Sequence, residues 1–138
     1  MNPLLIDTHV WLWWENGTPG RISPEARKEI AAGEAGLGLW IASMSMWEVA
    51  MLVSRRRIEV EPDALTWMQR SLAQRTRSLV PLTPEIAVVS NHLPDAPVGD
   101  PVDRILLATA RVENMTLVTA DRKLIDYGRK HYLKVLAL

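Results

Sequence analysis

The chain contains no cysteine. Disulfides and cysteine-ligated zinc or iron–sulfur sites are therefore excluded, and the absence agrees with a reducing compartment. Phenylalanine is absent too, although there are six tryptophans. No apolar run approaches the roughly 18–20 residues of a membrane span. The start, Met1 to Asp7, lacks the basic residues and long apolar stretch of a secretion signal, and Asp7 would interrupt one. A cytoplasmic protein is the expectation. Neither a P-loop nor a Gly-x-Gly-x-x-Gly occurs, so no glycine loop is available to cradle a nucleotide. An excess of either charge is also missing, because 16 basic residues balance 16 acidic ones. Any binding to nucleic acid must come from how the charges are arranged, not from their sum.

What is present suits one globular domain over residues 1–138. Hydrophobic residues make up 48% of the chain, enough for a sizeable core. Leu4-Leu5-Ile6 is a short, continuously apolar strand, and His9 to Trp14 follows as a helix. Gly17 to Gly20 turns. Ser23-Pro24-Glu25 starts a helix with Ser23 as its cap, ending near Gly33. A second strand is expected over Leu37 to Ile41, then a helix capped by Ser43 and running to Ser54. Asp63 to Gln74 is helical, Ser78 to Leu82 a strand, and Thr83-Pro84-Glu85 opens a helix ending near His92. Leu93 to Pro101 is a loop. Val102 to Glu113 is helical, Thr116 to Thr119 a strand, Leu124 to Tyr127 a single helical turn, and Leu133 to Leu136 a last strand. Short apolar strands alternating with helices predict a parallel sheet covered on both faces.

On such a sheet, ligands bind at the carboxyl ends of the strands. Asp7 follows the first strand and Asp121 the fourth. Glu48 lies in the helix after the second strand. Asp103 lies in the first turn of the helix that returns to the fourth. The topology therefore brings four acids to one edge. Between Met44 and Val53 only Ser45 and Glu48 are polar, and their spacing puts them on one face of an apolar helix. A carboxylate there needs a cation partner or a path to solvent. Two like charges 4 Å apart repel by roughly 4 kcal/mol at an effective dielectric near 20, and a divalent cation reverses that balance. An all-oxygen acidic site suits magnesium or manganese and metal-assisted phosphodiester hydrolysis.

Leu4-Leu5-Ile6-Asp7-Thr8-His9, Ser45-Met46-Trp47-Glu48-Val49, Gly99-Asp100-Pro101-Val102-Asp103-Arg104 and Leu117-Val118-Thr119-Ala120-Asp121 together resemble the motifs of PIN domains, in order and spacing. They are most similar to the PIN-domain toxins of bacterial toxin–antitoxin pairs, the VapC type, over essentially the whole chain. The resemblance implies an α/β/α sandwich around a mostly parallel sheet and a Mg²⁺- or Mn²⁺-dependent endoribonuclease. It implies that Asp7, Glu48 and Asp103 are the central catalytic and metal-binding acids and Asp121 the fourth. Thr119 matches a hydroxyl residue beside that fourth acid, and Asp100 either touches metal or shapes its loop. Thr8, Ser45 and Arg104 stand as supporting residues, Arg104 pairing with Asp103 or holding a phosphate. It further implies an RNA substrate, a homodimer, and inhibition by a small antitoxin protein.

Each acid also has a plain structural reading. Asp7 ends a strand, Asp103 suits a helix start, and Asp121 suits a turn or cap. Arg55-Arg56-Arg57 either follows an RNA backbone or decorates a helix end, the second being the simpler account. Trp11 and Trp14 share a helix face that serves a core or a partner groove, and Trp67, Met68, Leu65 and Leu72 extend that choice. His9 reads as structural or solvent-facing. A haloacid-type phosphatase also begins with a strand and an aspartate, but needs a second aspartate where His9 stands. A non-catalytic binding module on the same fold would not need four acids at one edge.

Overall fold

The computed structural model describes residues 2–95, 99–131 and 133–138. Its elements are β1 (Leu4–Ile6), α1 (Thr8–Asn16), α2 (Pro24–Ala35), β2 (Leu39–Ala42), α3 (Ser43–Ser54), α4 (Ala64–Leu72), β3 (Arg77–Val80), α5 (Pro84–Ser90), α6 (Pro101–Val112), β4 (Thr116–Thr119), α7 (Arg122–Lys130) and β5 (Val135–Ala137). The five strands form one sheet in the order β3-β2-β1-β4-β5. Every pairing is parallel, with Leu5 opposite Trp40 on one side and Leu117 on the other.

Side chains alternate across the sheet, and so they build two cores. Leu4, Ile6, Leu39, Ile41 and Val118 pack on one face with Val10 and Trp11 of α1, Ile30 of α2, Val49 of α3 and Trp67 of α4. Leu5, Ala42, Val80 and Leu117 pack on the other with Ile86 of α5, Leu106 and Leu107 of α6, and Leu124 and Tyr127 of α7. The result is the expected three-layer α/β/α sandwich. Its strand order follows from right-handed crossovers. The connections from β1 to β2 to β3 run on the first face, and those from β3 to β4 to β5 on the second. The direction reverses between β1 and β4, which leaves a crevice at their carboxyl ends.

Several local expectations need correction. Ser43 does not cap α3. The helix begins at Ser43 itself, Ala42 takes the cap position without a side-chain bond, and Ser43 Oγ instead accepts the Leu82 N–H at 3.1 Å. The segment after Asp121 is a nine-residue helix, not one turn. Gly128 sits inside α7, where a Cβ would clash with Val135 Cγ2. Gly33, near which α2 was expected to end, likewise sits inside a helix. α2 runs through it to Ala35, and a Cβ at Gly33 would meet Leu4 Cδ1 at 2.4 Å. Both glycines let a helix lie close on the sheet, and the packing gained outweighs a helix-propensity cost of roughly 1 kcal/mol each. The second and last strands are displaced to Leu39–Ala42 and Val135–Ala137.

The tryptophans divide by role. Trp11 and Trp67 are core residues, their ring centroids 4.8 Å apart. Each buried indole N–H has a partner, Trp11 Nε1 donating to Ser71 Oγ at 2.8 Å and Trp67 Nε1 to Asn16 Oδ1 at 2.9 Å. Trp14 is half-buried, with the Arg27 guanidinium 6.0 Å from its ring centroid. Trp47 stands 56% exposed and Leu65 66%.

Candidate active site

The crevice at the switch point is a cleft of about 670 Å³. Five carboxylates line it: Asp7, Glu48, Asp100, Asp103 and Asp121. Each is delivered by the end of a strand or the beginning of a helix. Asp7 continues the ladder, its N–H donating to Val118 O at 3.1 Å, and then caps α1 by accepting the Val10 N–H on Oδ1 at 2.9 Å. Asp121 caps α7 by accepting the Lys123 N–H at 2.9 Å. Asp100 caps α6, accepting from Val102 N–H at 2.8 Å and Asp103 N–H at 3.4 Å. Asp103 follows in the first turn of that helix, and Glu48 sits in the second turn of α3. The plain structural readings of Asp7 and Asp121 as caps therefore hold, and the same carboxylates line one cleft. Capping fixes one carboxylate face, and the positive helix ends offset part of the crowding of negative charge.

Thr119 holds the centre of this arrangement. It is fully buried and donates its hydroxyl proton to Asp7 Oδ2, while its oxygen accepts the Asp121 N–H at 3.0 Å. One side chain thereby orients Asp7 and the turn carrying Asp121. Thr8 and Ser45 do a similar task between helices. Thr8 Oγ1 donates to Ser45 Oγ at 3.0 Å, both buried, tying the start of α1 to α3 one turn ahead of Glu48. Ser45 does not line the cleft, while Glu48 does. The polar stripe on α3 is therefore half a buried tie and half an opening to solvent. Arg104 makes no salt bridge to Asp103 among the described residues.

The electrostatics are those of crowded acids. Burial pushes the Asp7 carboxyl above its usual range, opposed by the hydrogen bonds from Thr119 and Val10. Burial pushes Asp103 up to about 7, and the carboxylates of Asp100, Asp121, Glu48 and Asp7 add to the effect. None of the five acids forms a salt bridge among the described residues. Nor do three or more His, Asp or Glu side chains among those residues come close enough to enclose a metal ion by themselves. Magnesium does not need such a cage, because it keeps several waters and takes one or two carboxylates plus substrate phosphate. Hard oxygen donors, no thiolates and uncompensated negative charge fit Mg²⁺ or Mn²⁺.

The cleft is also lined by Arg21, Arg57, Trp13 and His9. Arg57 belongs to the run read as a decorated helix end. It lines the cleft, whereas Arg55 and Arg56 do not. The sequence did not single out Trp13 or Arg21 as site residues. Trp13 is four residues beyond His9, which gave a weak signal for a shared helix face. Arg21 follows a glycine turn and gave none.

A sequence model of the PIN domain matches residues 4–130. The chain belongs to the PIN-domain family. This PIN chain is 37% identical over 124 residues to ribonuclease VapC22 of Mycobacterium tuberculosis, covering 90% of the present chain and 91% of that protein. Its fold is similar to VapBC2 of Rickettsia felis, solved bound to a promoter DNA fragment, with a TM-score of 0.71 at 15% identity over 98% of both chains. DNA-bound VapBC of Salmonella typhimurium gives a TM-score of 0.70 at 13% identity, over 99% of this chain and 98% of that one. At such identities the likeness to the solved structures concerns the fold. No helix among the described residues is long and apolar enough to cross a membrane.

Proposed function

We propose that this PIN domain is a Mg²⁺- or Mn²⁺-dependent endoribonuclease and the toxin of a toxin–antitoxin pair. In this reading it is cytoplasmic, forms a homodimer, and is held inactive by a small antitoxin protein. The observation that carries the proposal is the set of five carboxylates sharing one cleft, with no salt bridge to any of them among the described residues. The relative named as a ribonuclease and the VapBC neighbours support it.

Asp7, Glu48, Asp103 and Asp121 are the residues that would hold the cation, and Asp100 shapes the loop that presents Asp103. A bound divalent cation supplies Lewis-acid polarisation of the phosphate and lowers the pKa of water. The chain's own residues supply the rest. Thr119 and the Val10 N–H fix both oxygens of Asp7, so that carboxylate cannot rotate away. Asp103 carries a proton part of the time near pH 7, and that proton must leave before its oxygen can bind a cation. Asp7 and Thr8 are buried where they meet the cleft, and a buried charge interacts more strongly with its neighbours than one in water.

The test is cleavage of a total RNA pool by the purified protein with Mg²⁺, Mn²⁺ or EDTA, alongside Asp7→Asn. Metal-dependent cleavage that Asp7→Asn abolishes is the expected result, together with growth arrest on expression that the same substitution relieves. Cleavage that persists in EDTA, or an Asp7→Asn protein as active as the parent, would contradict it.

A further inference from the structure

The five acids leave open what attracts a polyanion to this cleft. Among the described residues lining it, the permanent cations are Arg21 and Arg57. Both are exposed, and neither forms a salt bridge among the described residues. Beside them lies an aromatic group. The Arg21 guanidinium sits over the Trp13 ring, 5.4 Å from its centroid. The exposed His9 ring lies 5.8 Å from Trp13 at an interplanar angle of 50°. His9 adjoins Asp7 by one residue, so this ladder begins at the acids and runs outward along α1. Trp13 is half-buried among core residues on one side, which fixes its ring, and lines the cleft on the other.

A fixed indole beside two free guanidinium groups is a combination that binds single-stranded nucleic acid, with bases stacking on the ring and cations following the backbone. Core packing alone accounts for Trp11 and Trp67, which lie inside. It does not account for an indole kept at the edge of an acidic cleft under an arginine. We propose that Trp13 is the stacking platform for one RNA base beside the scissile phosphate, with Arg21 and Arg57 holding flanking phosphates. This inference rests on the ribonuclease reading and adds to it the residues that position the substrate. Stacking is tolerant of base identity, so Trp13 places the strand without selecting its sequence. The guanidinium of Arg21 keeps the ring covered in the free protein and turns to the backbone when a base replaces it.

The experiment uses a fluorescein-labelled, mixed-sequence single-stranded 12-mer RNA. Binding is measured on the cleavage-deficient Asp7→Asn protein, and steady-state cleavage on the otherwise native one. Trp13→Leu is expected to weaken binding by roughly 10-fold, within the range that one stacked base spans. In cleavage the loss falls on KM, with kcat changed less than about 2-fold, and Trp13→Phe recovers most of the affinity because it keeps a ring. Arg57→Gln and Arg21→Gln should each reduce the slope of log affinity against log salt by about 0.7. Thermal melts of each variant exclude loss of folding as the cause. If the native protein cleaves RNA while Trp13→Leu and Trp13→Phe bind and cleave alike, the stacking proposal is overturned and the ribonuclease reading stands. If the native protein neither binds nor cleaves this RNA or the total pool, both fall.

Discussion

The two ends of the sheet treat buried acids in opposite ways. At the amino end, Arg77 opens β3 with its side chain only 4% exposed and is clamped between Glu15 of α1 and Glu34 of α2. Its Nε donates to Glu15 Oε1 at 2.9 Å, Gln74 donates to Glu15 Oε2 at 2.7 Å, and Thr76 donates to Glu34 Oε2 at 3.1 Å. The charges of Arg77, Glu15 and Glu34 thus meet opposite charges from the same chain. At the carboxyl end, five acids line one cleft, and among the described residues the arginines lining it form no salt bridge with them. Both ends have the same helices and strands to draw on. The amino end is neutralised around Arg77 by the chain's own side chains, whereas in the proposed reading the carboxyl end takes its counter-charge from a bound cation.

That contrast can be broken at either end. The largest effect is expected at the amino end. Arg77→Met removes one cation and strands two acids, one of them nearly as buried as the arginine, at a cost of about 3–5 kcal/mol. Chemical denaturation should show the loss whether or not Mg²⁺ is present. Next comes Asp7→Asn, expected to lower cleavage by roughly 100-fold or more while the protein stays folded, because it removes a carboxylate that would hold the cation. Comparing its unfolding curve with its turnover separates the two effects.

A subtler break is Thr119→Val, which keeps the shape but removes the hydroxyl. Asp7 loses the hydrogen bond that lowers its pKa, and the Asp121 N–H loses its acceptor. We expect cleavage to fall by about 10–100-fold, with more Mg²⁺ needed for half-maximal rate. A metal titration of the rate reads this directly, and an unchanged midpoint would leave Thr119 a packing residue only.

The smallest expected effect concerns pH. The folded pKa of Asp103, about 7, lies above the ordinary 3.8 of the unfolded chain. The folded state therefore holds this proton more tightly, and stability falls as pH rises from about 4 to about 7. Asp103 is only half-buried, so solvent screening limits its contribution to on the order of 1 kcal/mol. Asp103→Asn should flatten that part of the metal-free stability profile. The same competition makes cation affinity decrease as pH drops below 7.

How far the sequence carries this account depends on the kind of signal. Thr116–Thr119 and the Ser23-capped start of α2 were legible because apolar runs and caps are local chemistry. The shared edge for Asp7, Glu48, Asp103 and Asp121 was legible because alternation of strand and helix dictates which ends meet. α2 was expected to end near Gly33, and the last helix to stop at Tyr127 ahead of Gly128, because close approach to Leu4 and Val135 is a long-range fact with no local trace. Arg21 and Trp13 were missed for the same reason, since only the folded chain brings a residue after the glycine turn over a ring of α1. The tie between Thr8 and Ser45 spans 37 positions and likewise shows only in the fold.

The most direct test of a cation site at the carboxyl end is a thermal melt of metal-free protein titrated with Mn²⁺ near pH 7, for the native chain and for Asp103→Asn. A ligand that binds only the folded state raises its stability, by about 2.7 kcal/mol at 100 times its dissociation constant. The native protein should melt higher as Mn²⁺ is added, and Asp103→Asn should start higher without metal and gain far less from it. A native protein whose melting point ignores Mn²⁺, or a variant that gains as much as the native chain, would contradict the claim that these acids are completed by a cation.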